Sequence, residues 1–292
     1  MDGKQKGVLF SVLASLMFGV SPVFVKLVLD FTNIETMNVL FTVFSSLFFA
    51  VLFAFSRRKK YFRIVIKNWR IIALMSLFEA AGSLLFTYGI LVSGPTNASF
   101  VIQFTIVFTI LFGVVFLKER LARLEGFGVL VALGGLLFLA YGHVEVEIFS
   151  TLAVVAAAVL FATANLFSKV YIKHINPFSM AGGRSIFVFV FLFGYALALG
   201  KLETAVPSMA LVYALLGSVT GVALSFILFF KALEVFEVSK TMTIRSMEPF
   251  LTAIFSFAIL SLAPTVNQLM GGVLIVVGVV ILSLTREKTI RQ

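Results

Sequence analysis

Ten runs of mostly apolar residues dominate this chain, and nearly all reach the length that a membrane-crossing helix needs. Such a helix takes about 20 residues to cross roughly 30 Å of hydrocarbon. The runs lie at about 7–29, 34–55, 70–92, 95–117, 124–141, 149–172, 178–200, 208–232, 239–260 and 266–284. The connections are short, so neighbouring helices are expected to run antiparallel, and no stretch is long or polar enough for a separate soluble domain. The first run follows Lys4 and Lys6 and resembles a signal peptide, but it is of spanning length without a clear small-residue cleavage site, so it reads as a retained helix. The expected class is all-α and integral to a membrane, with lipid as the first partner. Composition agrees: 61% of residues are hydrophobic, 12% are charged, and the mean hydropathy is +1.12. A soluble domain is nearer half apolar and a quarter charged, and a disordered chain is more polar still.

A net charge of +10 and a pI near 9.9 would suggest nucleic acid in a soluble protein. Here the basic residues follow the loops instead. With the N-terminus placed inside, the inner segments hold Lys4 and Lys6, then Arg57, Arg58, Lys59, Lys60, Arg63, Lys67 and Arg70, then Lys118, Arg120 and Arg123. They also hold Lys169, Lys173, Lys231, Lys240, Arg286, Lys288 and Arg291. The outer segments hold only Lys26 and Lys201, beside Asp30, Glu35, Glu145, Glu147 and Glu203. Cytoplasmic loops concentrate Lys and Arg, so a cytoplasmic (inner) membrane protein with both termini in the cytoplasm is expected, and no nucleic-acid partner. Trp69, the one tryptophan, falls at the inner edge of the third span, where an interfacial ring belongs.

The two halves align on each other without a gap. Phe18 meets Phe161, Phe24 meets Phe167, Asn33 meets Asn176, Phe86 meets Phe229, Thr109 meets Thr252, Gly128 meets Gly271 and Gly135 meets Gly278. A repeat of five helices is odd, so the second copy enters the membrane from the opposite side. The expected architecture is two inverted five-helix repeats, residues 1–142 and 143–292. Such symmetry lets two halves exchange roles around a midplane site.

The first repeat carries Leu117-Lys118-Glu119-Arg120-Leu121, followed by Gly126, Gly128, Gly134 and Gly135. The second carries Glu248-Pro249-Phe250, then Gly271, Gly272 and Gly278. These features resemble the EamA-type members of the drug/metabolite transporter superfamily, whose fourth helix ends in a Gly-Glu-Arg-Leu turn. Lys118 stands at the place of that glycine, and the matching turn of the second half, Ser261-Leu262-Ala263-Pro264-Thr265, lacks the glutamate. The resemblance implies ten helices and metabolite transport; members differ in substrate.

Ionisable groups inside hydrocarbon are costly and mark candidate sites. Four fall well within spans: Glu79, Arg184, Arg245 and Glu248, whose charges cancel. Arg245 and Glu248 stand three residues apart on one helical face, spaced either to pair with each other or to meet a substrate. Ser76, Glu79, Ser83 and Thr87 make a polar stripe on the third span; Thr241, Arg245, Glu248 and Thr252 make one on the ninth. Pro249 removes a backbone donor there and is expected to free a carbonyl near Arg245. Asn97 and Gln103 on the fourth span and Asn165 on the sixth add neutral donors and acceptors, each spaced either for the site or for an interhelical bond. Arg184, near the inner end of the seventh span, is expected to snorkel to the interface. The glycine faces of the fifth and tenth spans suit close helix packing, within the chain or between copies, so a monomer or a homodimer fits.

Enzyme chemistry finds no foothold. There is no P-loop, no His-Glu-x-x-His and no Gly-x-Ser-x-Gly. Cysteine is absent, and His143 and His174 fall in loops on opposite sides, so no cofactor or metal is expected. The sequence therefore reads as a secondary active or facilitative transporter, not an enzyme, for a small polar or zwitterionic, amino-acid-like metabolite, with proton coupling as an option and alternating access as the mechanism. Arg245 is assigned to an anionic group, and Glu79 or Glu248 to an ammonium or a proton. The first alternative is a carrier or exporter of quaternary amines or lipophilic cations held by phenylalanines. A membrane-embedded enzyme is the second, and a channel fits two inverted halves less well.

Overall fold

The structure is a computed structural model that describes residues 3–55, 59–118, 122–140, 145–171, 175–235, 241 and 244–290. His143, His174, Arg57, Arg58, Lys173, Lys240 and the Glu119-Arg120-Leu121 part of the turn motif lie outside them. The helices are α1 (Gly3–Leu29), α2 (Ile34–Ala54), α3 (Lys59–Lys67), α4 (Trp69–Val101), α5 (Phe104–Leu117) and α6 (Arg123–Ala140). They continue with α7 (Glu145–Tyr171), α8 (Pro177–Ala198), α9 (Ser208–Gly217), α10 (Ser225–Val235), α11 (Glu248–Leu260) and α12 (Val266–Ile290). A π-helical segment, Ser218–Leu224, joins α9 to α10, and no strand occurs among the described residues.

Among the described residues, six helical stretches have both the length and the hydropathy to cross a membrane: Gln5–Leu29, Ile34–Ala54, Trp69–Val101, Ile148–Ser168, Phe178–Ala198 and Ser208–Phe229. Phe104–Phe116 and Glu248–Leu260 are apolar but shorter. The helices depart from ten uninterrupted spans at three places, each with a local cause or break. The third span runs into the fourth through Gly94, whose φ of 80° and ψ of 163° make a corner that favours glycine, and Pro95 starts the next turn, where the backbone N–H it lacks would have no helix partner. The fourth span then breaks at 102–103 and the ninth at 246–247. Helix α3 lies where the sequence shows only a basic loop.

The repeat is visible in matched local geometry. Asn33 caps α2 by accepting from the Thr36 N–H at 2.8 Å, and its counterpart Asn176 caps α8 by accepting from the Phe178 N–H at 2.9 Å. Lys118 closes α5 at φ 54°, and Ser261, its equivalent, closes α11 at φ 56°. Packing follows the same symmetry. Helix α1 packs on α9, α10 and α11, as α7 packs on α4 and α5. Helices α2 and α8 pack on each other, as do α6 and α12.

The last pair crosses at the glycines. A Cβ on Gly128 would meet Gly278 O at 2.8 Å, and one on Gly135 would meet Gly271 O at 2.7 Å. Gly128 and Gly271 are repeat equivalents, as are Gly135 and Gly278, so the crossing is antiparallel and maps onto itself when the halves are exchanged. These glycines serve packing within one chain. Gly126 and Gly134, on the other side of α6, face open space.

Candidate functional site

Broken helices at corresponding positions of two inverted halves are a structural pointer to a transporter's binding site. Here they are the fourth and ninth spans. At the first break Gln103 N–H donates to Phe100 O at 3.3 Å and Thr105 N–H to Ile102 O at 2.9 Å; at the second, Met247 N–H donates to Ile244 O at 3.2 Å and Phe250 N–H to Met247 O at 3.1 Å. These bonds reach back three residues, so each break is tightened rather than left open. Pro249 occupies the first turn of α11, where its missing N–H forfeits no helix bond. The carbonyl expected to be freed near Arg245 therefore falls just before a helix start at Glu248 and not inside a continuous ninth helix. The two broken helices touch through Phe100 and Phe250, ring edge to ring face at 5.2 Å.

The second break carries an ion pair. Arg245 Nε donates to Glu248 Oε1 at 2.5 Å, with 14% and 12% of the two side chains exposed. The guanidinium also lies 4.7 Å from the Phe229 ring and 5.2 Å from the Phe18 ring, so α10 and α1 supply an aromatic face on each side. Thr252 Oγ ties the same corner to α1 by donating to Gly19 O at 2.8 Å. Around the first break, Asn97 Oδ1, Ser99 Oγ and Thr105 Oγ1 are buried without a hydrogen-bond partner among the described residues. Gln103 is 7% exposed. Buried polar atoms are nearly always paired, so these three stand out as exceptions beside the break.

The other two embedded charges form a second pair. Arg184 Nε donates to Glu79 Oε2 at 2.7 Å, and Arg184 Nη1 donates to Ser168 Oγ at 3.1 Å. This corrects the expectation that Arg184 snorkels to the interface: a carboxylate on α4 and a hydroxyl on α7 satisfy the guanidinium inside the bundle. Ser76 Oγ adds a bond to Arg184 O at 3.3 Å. The polar stripe of the third span is thus divided. Ser83 Oγ donates to its own helix at Glu79 O, 2.8 Å away, and Thr87 accepts from Asn38 on α2 at 3.0 Å. Asn165 is half-buried on α7, one turn from Ser168.

The structure therefore brings Arg245 to Glu248 and Glu79 to Arg184, while Asn97 and Gln103 flank the other break. Phe18, Phe229 and Ser168 escaped the sequence reading. The repeat pairing of Phe18 with Phe161 and Phe86 with Phe229 held part of the signal, but phenylalanine also recurs at other equivalent positions, such as Phe24 and Phe167, so recurrence alone does not single these rings out.

Comparison with known proteins bears on the family and the fold. Residues 5–141 and 148–284 each match the EamA-like transporter family. The uncharacterized transporter YoaV of Bacillus subtilis (strain 168) is 26% identical over 245 residues, covering 78% of this chain and 80% of its own. An uncharacterized transporter of Methanothermobacter thermautotrophicus is 26% identical over 294 aligned positions, covering 94% of this chain and 85% of its own. A solved crystal structure superposes with a TM-score of 0.69 at 16% identity, covering 96% of this chain and 98% of that one, a likeness that shows the fold alone.

Proposed function

This chain belongs to the EamA-like transporter family, and from that premise we propose that it carries a small polar or zwitterionic, amino-acid-like metabolite across the cytoplasmic membrane by alternating access. The observation behind the substrate class is the Arg245–Glu248 pair at the break before α11. It is neutral as a unit and partly open. A zwitterion can place its carboxylate on Arg245 and its ammonium on Glu248, exchanging one neutral arrangement for another. Leaving either partner buried alone would be far more costly. Asn97 and Gln103 then hold neutral polar groups of the solute, Glu248 is the group that takes a coupling proton, and Glu79 with Arg184 sets the resting geometry of α4 and α8. Residues 1–142 and 143–292 act as the two exchanging halves, with both termini on the cytoplasmic side.

The test is uptake of labelled amino acids into proteoliposomes. Glu248→Gln is expected to leave a folded protein, seen as a single gel-filtration peak, whose uptake is lost or no longer proton-dependent. The Arg245→Gln/Glu248→Gln double variant removes the orphaned charge and is expected to fold and remain inactive. Uptake at the wild-type rate and with unchanged proton dependence in either variant sinks the assignment.

One observation favours a second reading. The guanidinium between Phe18 and Phe229 shows that two aromatic faces of this corner accept a delocalised cation. A quaternary amine could take the same place. Competition by choline-like compounds, and not by amino acids, selects that reading.

A further inference from the structure

We propose that α3 is a docking surface for acidic phospholipid headgroups, which fasten this end of the bundle to the membrane surface. The proposal rests on the chain's membrane-spanning architecture and not on the substrate.

Helix α3 divides its residues into three strips, as 3.6-residue periodicity dictates. Tyr61, Ile64 and Val65 make the inner strip. Val65 is 4% exposed, it faces Gly183 of α8, and the Tyr61 ring meets Phe178 at 5.3 Å. Phe62 and Ile66, one turn apart, make an apolar strip that stays 44% and 57% exposed. Lys60, Arg63 and Lys67 make a third strip, all exposed. Next in the chain, Trp69 is half exposed, and Arg70 lies 5.7 Å from its ring. Lys67, Trp69 and Arg70 also border an open hollow of about 390 Å³.

Charge selects the occupant. No acidic residue occurs between Glu35 and Glu79, while seven basic residues fall between Arg57 and Arg70. No carboxylate of this segment can therefore neutralise the strip. A basic strip beside an exposed apolar strip matches the boundary of headgroups and acyl chains, where phosphates meet the cations and the ring and branched side chains enter the hydrocarbon edge. A soluble acidic partner would satisfy the cations but leave no role for Phe62 and Ile66. Val65 seats α3 on α8 at Gly183, so α3 packs one residue along the chain from the Glu79–Arg184 contact.

Trp69 is the only tryptophan and sits in this surface, so the full chain carries its own probe. In nanodiscs of phosphatidylcholine, brominated phosphatidylglycerol at low mole fraction is expected to quench Trp69 far more steeply than brominated phosphatidylcholine. The expected preference is about tenfold or more and falls in high salt. Lys60→Gln/Arg63→Gln/Lys67→Gln is expected to abolish the preference, with the thermal midpoint in detergent kept within a few degrees. Lys60→Arg/Lys67→Arg is expected to keep it. Equal quenching of the wild-type protein by the two lipids, or a preference that survives the triple neutral variant, overturns the proposal.

Discussion

Arg184 Nε lies 2.7 Å from Glu79 Oε2, joining α8 to α4 across 105 residues of sequence. Both side chains keep some exposure, 14% for arginine and 20% for glutamate, so the contact is neither a surface pair nor a sealed one. Removing one partner of a fully buried pair costs about 3–5 kcal/mol, largely because the survivor is a lone charge. Here the cost is smaller, and its pattern is diagnostic. Glu79→Gln alone and Arg184→Gln alone are each expected to lower the detergent thermal midpoint more than the double variant does. A double variant as unstable as the sum of the singles would mean the pair is incidental.

The glycine crossing separates packing from composition. Gly134 and Gly135 are neighbours on α6, yet a Cβ on Gly135 meets backbone atoms Gly271 O and Ile275 N at 2.7 Å, while one on Gly134 meets nothing within 4 Å. Gly135→Ala forces α6 and α12 apart and is expected to cost about 1–3 kcal/mol, typical of overpacking. Gly134→Ala is expected to be neutral or slightly stabilising, because alanine favours helix. Thermal midpoints of the two variants, purified side by side, decide it.

Lys118 and Ser261 hold left-handed backbone at φ 54° and 56°, the only described non-glycine residues with positive φ. A side chain there is strained by about 1 kcal/mol, which glycine relieves at some cost in chain entropy. Lys118→Gly and Ser261→Gly are each expected to raise stability by about 0.5–1 kcal/mol. Gly94→Ala runs the other way: at φ 80° with open space around it, the variant loses stability through the backbone alone. Thermal unfolding of the three variants reads all these signs.

How much of this was legible in sequence depended on which property was asked for. Burial is written in composition and period, so the apolar runs and the inverted repeat could be read from the chain, including the alignment of Asn33 with Asn176. Breaks were harder to read. The turn at 102–103 contains neither glycine nor proline, and nothing in Ile102-Gln103 announces it. Pairing was harder still. The partner of Arg184 depends on how α4 and α8 rotate against each other, which no local pattern encodes, so sequence alone points a long side chain near a span end toward water. The same spacing that put Arg245 and Glu248 on one face was correct because both lie within one turn.

The two repeats differ where a cation has been placed between rings. In the first repeat Phe86 and Phe161 touch directly at 6.4 Å. Their equivalents, Phe229 and Phe18, hold the Arg245 guanidinium between them, and the residue equivalent to Arg245 is Ile102. An aromatic pair contributes about 0.5–1.5 kcal/mol, and a desolvated cation–π contact about 2 kcal/mol, so the wedge and the closed pair are comparable in weight. If the halves exchange conformations during transport, Phe18 must close on Phe229 while Phe86 parts from Phe161. The chain has no cysteine, so introduced pairs report without background. Short bifunctional thiol reagents are expected to link Phe86→Cys to Phe161→Cys in the resting protein. They should link Phe18→Cys to Phe229→Cys only during turnover, or constitutively when Arg245→Ile copies the first repeat. Either link is expected to stop transport. An 18–229 pair that never links, even beside Arg245→Ile, would show that the two aromatic sites do not trade places.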